Sequence, residues 1–150
     1  MTRKQIRRFV DKVSPYHIPV LYYNEKEHFM KDFAAYVRSI PCVHISLNAD
    51  MVFEENTESH NVWLKQLLLH ELGHLFHRKK ANGPVERELY AQMWAINKAY
   101  KLGMKKVARE ARHYLVHKWT MDGFGKKYGW NKYRIYILAN RLAKKRGLIP

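Results

Sequence analysis

One cysteine, Cys42, leaves no partner for an internal disulfide, and that scarcity fits a reducing cytoplasm. No apolar run approaches the length of a membrane span. The basic start Met1-Thr2-Arg3-Lys4 is not followed by the apolar stretch of an export signal, so neither insertion nor export is expected. Glycine and proline are too thinly spread to make a linker, and no repeat or low-complexity segment interrupts the chain. At 150 residues that points to a single domain with a real core over residues 1–150. Acidic residues are scarce as well: 13 Asp and Glu against 28 Lys and Arg give a net charge of +15. From Lys98 onward 15 Lys and Arg stand against only Glu110 and Asp122, a balance of +13, so residues from about 98 to 150 form a basic C-terminal part. Such a surface steers toward nucleic acid, or toward a partner bound to it or itself acidic, although a solvated helix face is the plainer reading. No complete helix-turn-helix, zinc-finger or RNA-binding signature accompanies it.

What is present is a five-residue sequence near the middle, His70-Glu71-Leu72-Gly73-His74. One helical turn separates the two histidines, so both imidazoles point the same way and can share a metal ion. Glu71 then lies beside the metal as a candidate base. A chance HExxH is expected in roughly 3% of chains of this composition, so its context matters. The run Val62 to Leu69 enters the motif without Gly or Pro, Thr57 or Ser59 stands ready to cap its start, and Asn82-Gly83-Pro84 breaks the chain beyond it.

A catalytic zinc takes three protein ligands and leaves one position open. A histidine six residues past His74 would supply the third, but Lys80 stands there. The remaining candidates, Glu86 and Glu88, open a second helix begun by Pro84, and sit about 200° apart around it. Glu88 shares its face with Ala91, Ala95 and Ala99, a small-residue stripe that lets two helices approach closely, and Gly73 offers a shallow point to match. On packing geometry Glu88 is the better ligand. Both acids also suit the first turn of a helix for its dipole alone.

His70-Glu71-Leu72-Gly73-His74 followed by Glu88-Leu89-Tyr90-Ala91-Gln92-Met93-Trp94-Ala95 resembles the ImmA/IrrE family of small gluzincin-type metallopeptidases. The family pattern is an HELGH helix and then a helix bearing E-x-x-A-[ND]-x-F-A. Gln92 and Trp94 depart from it, neither at a ligand position, and the likeness covers roughly residues 40–96. The resemblance implies that His70, His74 and Glu88 hold one Zn2+ per chain and that Glu71 is the catalytic base. It also implies an intracellular endopeptidase whose protein substrate is a DNA-binding helix-turn-helix repressor of a phage or other mobile element. The alternative is a zincin scaffold that has lost turnover and binds nucleic acid or an acidic protein. His77 matches a histidine often present in the family and is assigned a supporting or helix-end role.

The expected fold is α+β, a mostly helical minimal zincin-like domain with a small β-sheet whose edge strand precedes the HExxH helix. Helices are expected near 2–13, 25–39, 60–79, 84–101, 103–119 and 131–146. An extended piece is expected around 18–23, with a strand at 42–48. That strand either pairs with substrate backbone near His44–Leu47 or only supports the core. Peptide hydrolysis also needs a donor for the developing oxyanion, and Tyr90, His113, Tyr114 and His117 are available. His113 and His117 repeat the i, i+4 spacing without a base between them, as a packed or plain surface pair more than a second zinc site. Gly123-Phe124-Gly125-Lys126-Lys127 lacks the spacing of a phosphate loop and reads as a turn.

Overall fold

The computed structural model describes residues 1–24, 35–38, 43–77, 80–120 and 130–150. The chain forms α1 (Arg3–Val13), β1 (Val20–Tyr23), β2 (Ala35–Arg38), β3 (His44–Asn48) and a short α2 (Ala49–Val52). Then come α3 (Glu58–His77), α4 (Pro84–Lys101), α5 (Lys105–Val116), a single 3-10 turn (Lys118–Thr120) and α6 (Trp130–Lys145). It is a mostly helical α+β fold. No described helix is long and apolar enough to cross a membrane.

Local chemistry explains the helix starts. Thr2 and Gln5 close a reciprocal capping box on α1, with Thr2 Oγ1 accepting from the Gln5 N–H and Gln5 Oε1 accepting from the Thr2 N–H. Thr57 Oγ1 accepts from the His60 N–H at the head of α3. Gly83 precedes α4 at φ 97°, a conformation open to glycine at little cost, and Pro84 follows in the first helical position.

The three strands lie in the order β1-β3-β2, with β1 parallel and β2 antiparallel to β3. The strand preceding α3, which carries the HExxH sequence, is therefore the central one and not the expected edge. Both its backbone edges are used by neighbours and all five of its residues are buried. It supports the core and has no edge to offer a peptide. The helix expected over 25–39 is also corrected where it is described. Ala35 and Val37 alternate inward opposite Leu47 and Ile45, so residues 35–38 are strand. Residues 25–34, Cys42 and the Gly123–Lys127 segment lie outside the described residues.

Two apolar clusters flank α4. One joins α1 and the sheet to α3 through Ile6, Val10, Ile45, Leu47, Leu68 and Leu72, and takes Ala95 and Ala99 from α4. The other gathers Leu115, Trp119, Ala139 and Ala143 around Leu89 and Ile96 on another side of α4. Asn140 of α6 donates to the Leu115 carbonyl at 2.8 Å, satisfying an acceptor in the last turn of α5. The close approach of α3 and α4 centres on Gly73. A Cβ placed there would sit 2.6 Å from the Ala91 carbonyl oxygen and 2.8 Å from the Ala91 Cα, both rigid backbone atoms.

Gly73→Ala must therefore push the helices apart. It is expected to cost about 1–3 kcal/mol despite the better helix propensity of alanine, read as a lower midpoint of chemical unfolding. A midpoint equal to or above wild type would mean that this contact does not set the spacing.

Candidate metal centre

Helix α3 is buried without interruption from Leu68 to Gly73, which carries the start of the histidine turn into the interior. His70 is 8% exposed, Glu71 6% and, across on α4, Glu88 5%. The Nε2 atoms of His70 and His74 are 3.0 Å apart, with the two rings nearly perpendicular. Glu88 Oε2 lies 3.1 Å from His70 Nε2 and 3.5 Å from His74 Nε2. Among the described residues this is the one group of three or more His, Cys, Asp or Glu side chains close enough to share a metal ion.

Those separations have a simple meaning. Two metal–ligand bonds of about 2.0–2.1 Å at a tetrahedral angle hold their ends about 3.3 Å apart. The three observed edges, 3.0, 3.1 and 3.5 Å, bracket that figure.

The proton on His70 can be placed from its neighbours. The Gln92 side chain is 1% exposed and its Nε2 donates to the Ala111 carbonyl at 2.6 Å. A carbonyl only accepts, so the amide cannot be turned the other way, and Gln92 Oε1 is the atom facing His70 Nδ1 at 2.6 Å. His70 Nδ1 must then be the donor. In neutral His70 this leaves an Nε2 lone pair pointing at a carboxylate oxygen 3.1 Å away, a contact that is attractive once a proton or a metal ion lies between the two. A metal ion meets that need while keeping the Nδ1 proton in place, so the donor set and its spacing fit zinc.

Glu86, the other candidate, is engaged elsewhere. Its Oε2 accepts from the Asn82 N–H at 2.8 Å and its Oε1 from Arg146 Nη2 at 2.7 Å. The Asn82 N–H first, and then the Arg146 guanidinium, hold its carboxyl below the usual range. Arg146 also donates to the Tyr90 hydroxyl at 3.0 Å, so of the four candidate oxyanion donors Tyr90 is tied to the C-terminal turn. His113 and His117 are exposed, with ring centroids 5.2 Å apart, and line a surface cleft with none of the three convergent residues in it. Tyr114 is half-buried, with Lys118 Nζ over its ring. The side chain of His77 lies outside the described ones.

Two neighbours of the group had no signal in the sequence. Trp119 packs edge-on against His70, with centroids 6.1 Å apart, and stacks on Tyr136 of α6. Gln92 stood out only as a departure from the family pattern, and its link to Ala111 depends on how α5 packs. Comparison with protein-family models, with curated protein sequences and with solved structures finds no match.

Gln92→Met keeps the bulk and leaves the Ala111 carbonyl and His70 Nδ1 without this partner. The variant is expected to bind Zn2+ about 10–100-fold more weakly, measured by competition with a chromophoric chelator. Unchanged affinity would mean that the amide does not orient His70. Glu86→Gln should lower the thermal midpoint at neutral pH. Folding depresses the Glu86 carboxyl pKa, so its contribution is present above the ordinary carboxylate range and is lost as pH falls through the lowered value. The gap between the two proteins should close in acid, and a pH-independent gap would refute the ionic contribution.

Proposed function

We propose that this chain is a zinc-dependent cytoplasmic endopeptidase that hydrolyses a peptide bond in a regulatory protein. The observation that supports this reading most is the convergence of His70 Nε2, His74 Nε2 and Glu88 Oε2 to within 3.5 Å, with Glu71 buried between the histidines in sequence. Three ligands leave a tetrahedral ion one open position, the arrangement of a catalytic rather than a structural site. Bound zinc would supply a water of lowered pKa and a Lewis acid for the scissile carbonyl. Glu71 accepts the proton of the attacking water and returns it to the leaving amine. A buried carboxylate between the two histidines in sequence is the group hydrolysis needs as a base, which favours the enzyme over a scaffold that only binds.

The sheet order moves the expected place of the substrate. β3 is paired on both sides, and of the two edge strands it is β2 that packs against α3. An extended substrate backbone would therefore pair along the outer edge of β2. For the substrate itself, the likeness of the His70–His74 and Glu88–Ala95 segments to ImmA/IrrE peptidases supports a helix-turn-helix repressor of a phage or mobile element.

Metal content per chain, measured beside variants, tests the site. Wild type should carry about one zinc and Glu71→Gln the same, with hydrolysis of a cleaved repressor lowered about 10²–10⁴-fold. His70→Ala, His74→Ala and Glu88→Ala should lose both metal and activity. A wild type that stays empty when zinc is supplied would sink the metal site. A fully active Glu71→Gln would sink the assignment of the base.

A further inference from the structure

The positive charge has a definite place on the fold that the peptidase reading does not use. Helix α5 turns Val107, Ala108, Ala111 and Leu115 inward. Its outer side carries Lys105, Lys106, Arg109 and His113, all exposed, with Arg112 half-buried beside them. Arg109, Arg112, His113 and His117 follow one another at spacings of three, one and four residues and so share one side of the helix. Together with Glu110 and Pro150 they line an open cleft of about 630 Å³. Lys106, at its end, is already paired with Glu58. Among the described residues no carboxylate lies within ion-pair distance of Arg109 or Arg112.

We propose that this face of α5 docks the phosphate backbone of nucleic acid, through charge and not through base sequence. Guanidinium groups one helical turn apart present planar paired donors that suit phosphate oxygens. The imidazole N–H groups of His113 and His117 add shorter-range donors at the same wall. Nucleic acid fits better than an acidic protein because a protein interface needs an apolar centre. The only apolar side chain of α5 lining this cleft is the half-buried Val116, and among the described residues no Phe, Tyr or Trp lines it. The absence of a Phe, Tyr or Trp platform among the described lining also argues against reading of unstacked bases. This surface stands independently of the metal centre, since none of its residues contributes to the His70, His74 and Glu88 group.

The test is fluorescence anisotropy with a labelled duplex of about 20 base pairs of arbitrary sequence, from about 50 to about 200 mM salt. A protein of net charge +15 attracts DNA weakly wherever its charge lies, so location decides the matter. Arg109→Glu with Arg112→Glu is compared with the charge-matched Lys4→Glu with Arg8→Glu on α1, both exposed and remote in sequence. The α5 pair is expected to weaken binding by roughly tenfold or more and to lower the slope of log affinity against log salt by about two. The α1 pair should do clearly less. Equal losses from the two pairs would reduce the effect to net charge and overturn the proposal, as would a wild type that does not bind at low salt. Equal displacement of the duplex by poly-glutamate of matched charge would overturn the preference for phosphate. If Arg112→Glu disturbs folding, seen by circular dichroism, Lys105→Glu with Arg109→Glu carries the same comparison at two fully exposed positions.

Discussion

The closeness of α3 and α4 is the constraint on which the rest depends. A glutamate side chain has a fixed reach, so a ligand donated from one helix to histidines on another requires that the backbones lie near each other. Gly73 and Ala91 meet that requirement by having almost nothing between them. On α4 one face then carries the whole site in order: Glu88 as the acid, Ala91 as the contact point, Gln92 as the partner of His70, and Ala95 as the next spacer. A larger residue at 73 or 91 would change the distance before it changed any chemistry.

Burying His70 with two carboxylates, and half-burying His74 beside them, is costly unless each polar atom finds a partner. Among the described residues no buried side-chain nitrogen or oxygen lacks one. The chain achieves this by sharing. Gln92 satisfies His70 with one end of its amide and the Ala111 carbonyl with the other, so a neutral side chain fixes the imidazole tautomer without adding another buried charge. Trp119 closes a wall of the site with an edge-on contact, and its own other face is covered by Tyr136. The three atoms that converge are two imidazole nitrogens and a carboxylate oxygen, a donor set that a cation would suit.

How much of this was legible follows from what each feature depends on. The histidine turn depends only on helical period, and Glu88 was favoured over Glu86 by a small-residue stripe that period also reveals. The packing at Gly73 agrees with that reasoning, and the attachment of Glu86 to Asn82 and Arg146 adds a reason the sequence did not carry. Strand order was not legible, because pairing partners are chosen by tertiary packing. The alternation of Ala35 and Val37 was too short to stand out from the helix-favouring residues before it. The Gln92–Ala111 and His70–Trp119 contacts span 19 and 49 positions of sequence and exist only once α5 and the 3-10 turn have docked.

Helix α5 joins the two halves of the molecule's chemistry. Its inner face is made of small and apolar residues, and because Ala111 has so short a side chain its backbone comes close enough for the carbonyl to hold the Gln92 amide. Its outer face holds Arg109 and Arg112, with no carboxylate among the described residues within ion-pair distance of either. A helix that must pack tightly on one side tolerates no charge there, so a chain with this many basic residues places them on the other. Packing alone would be satisfied by any polar residue on that outer face, including the glutamates that balance charge elsewhere on a typical surface. The near-absence of acids from Lys98 onward is therefore not a by-product of folding, and it is that excess, not the amphipathic pattern, on which the proposal of a polyanionic partner rests.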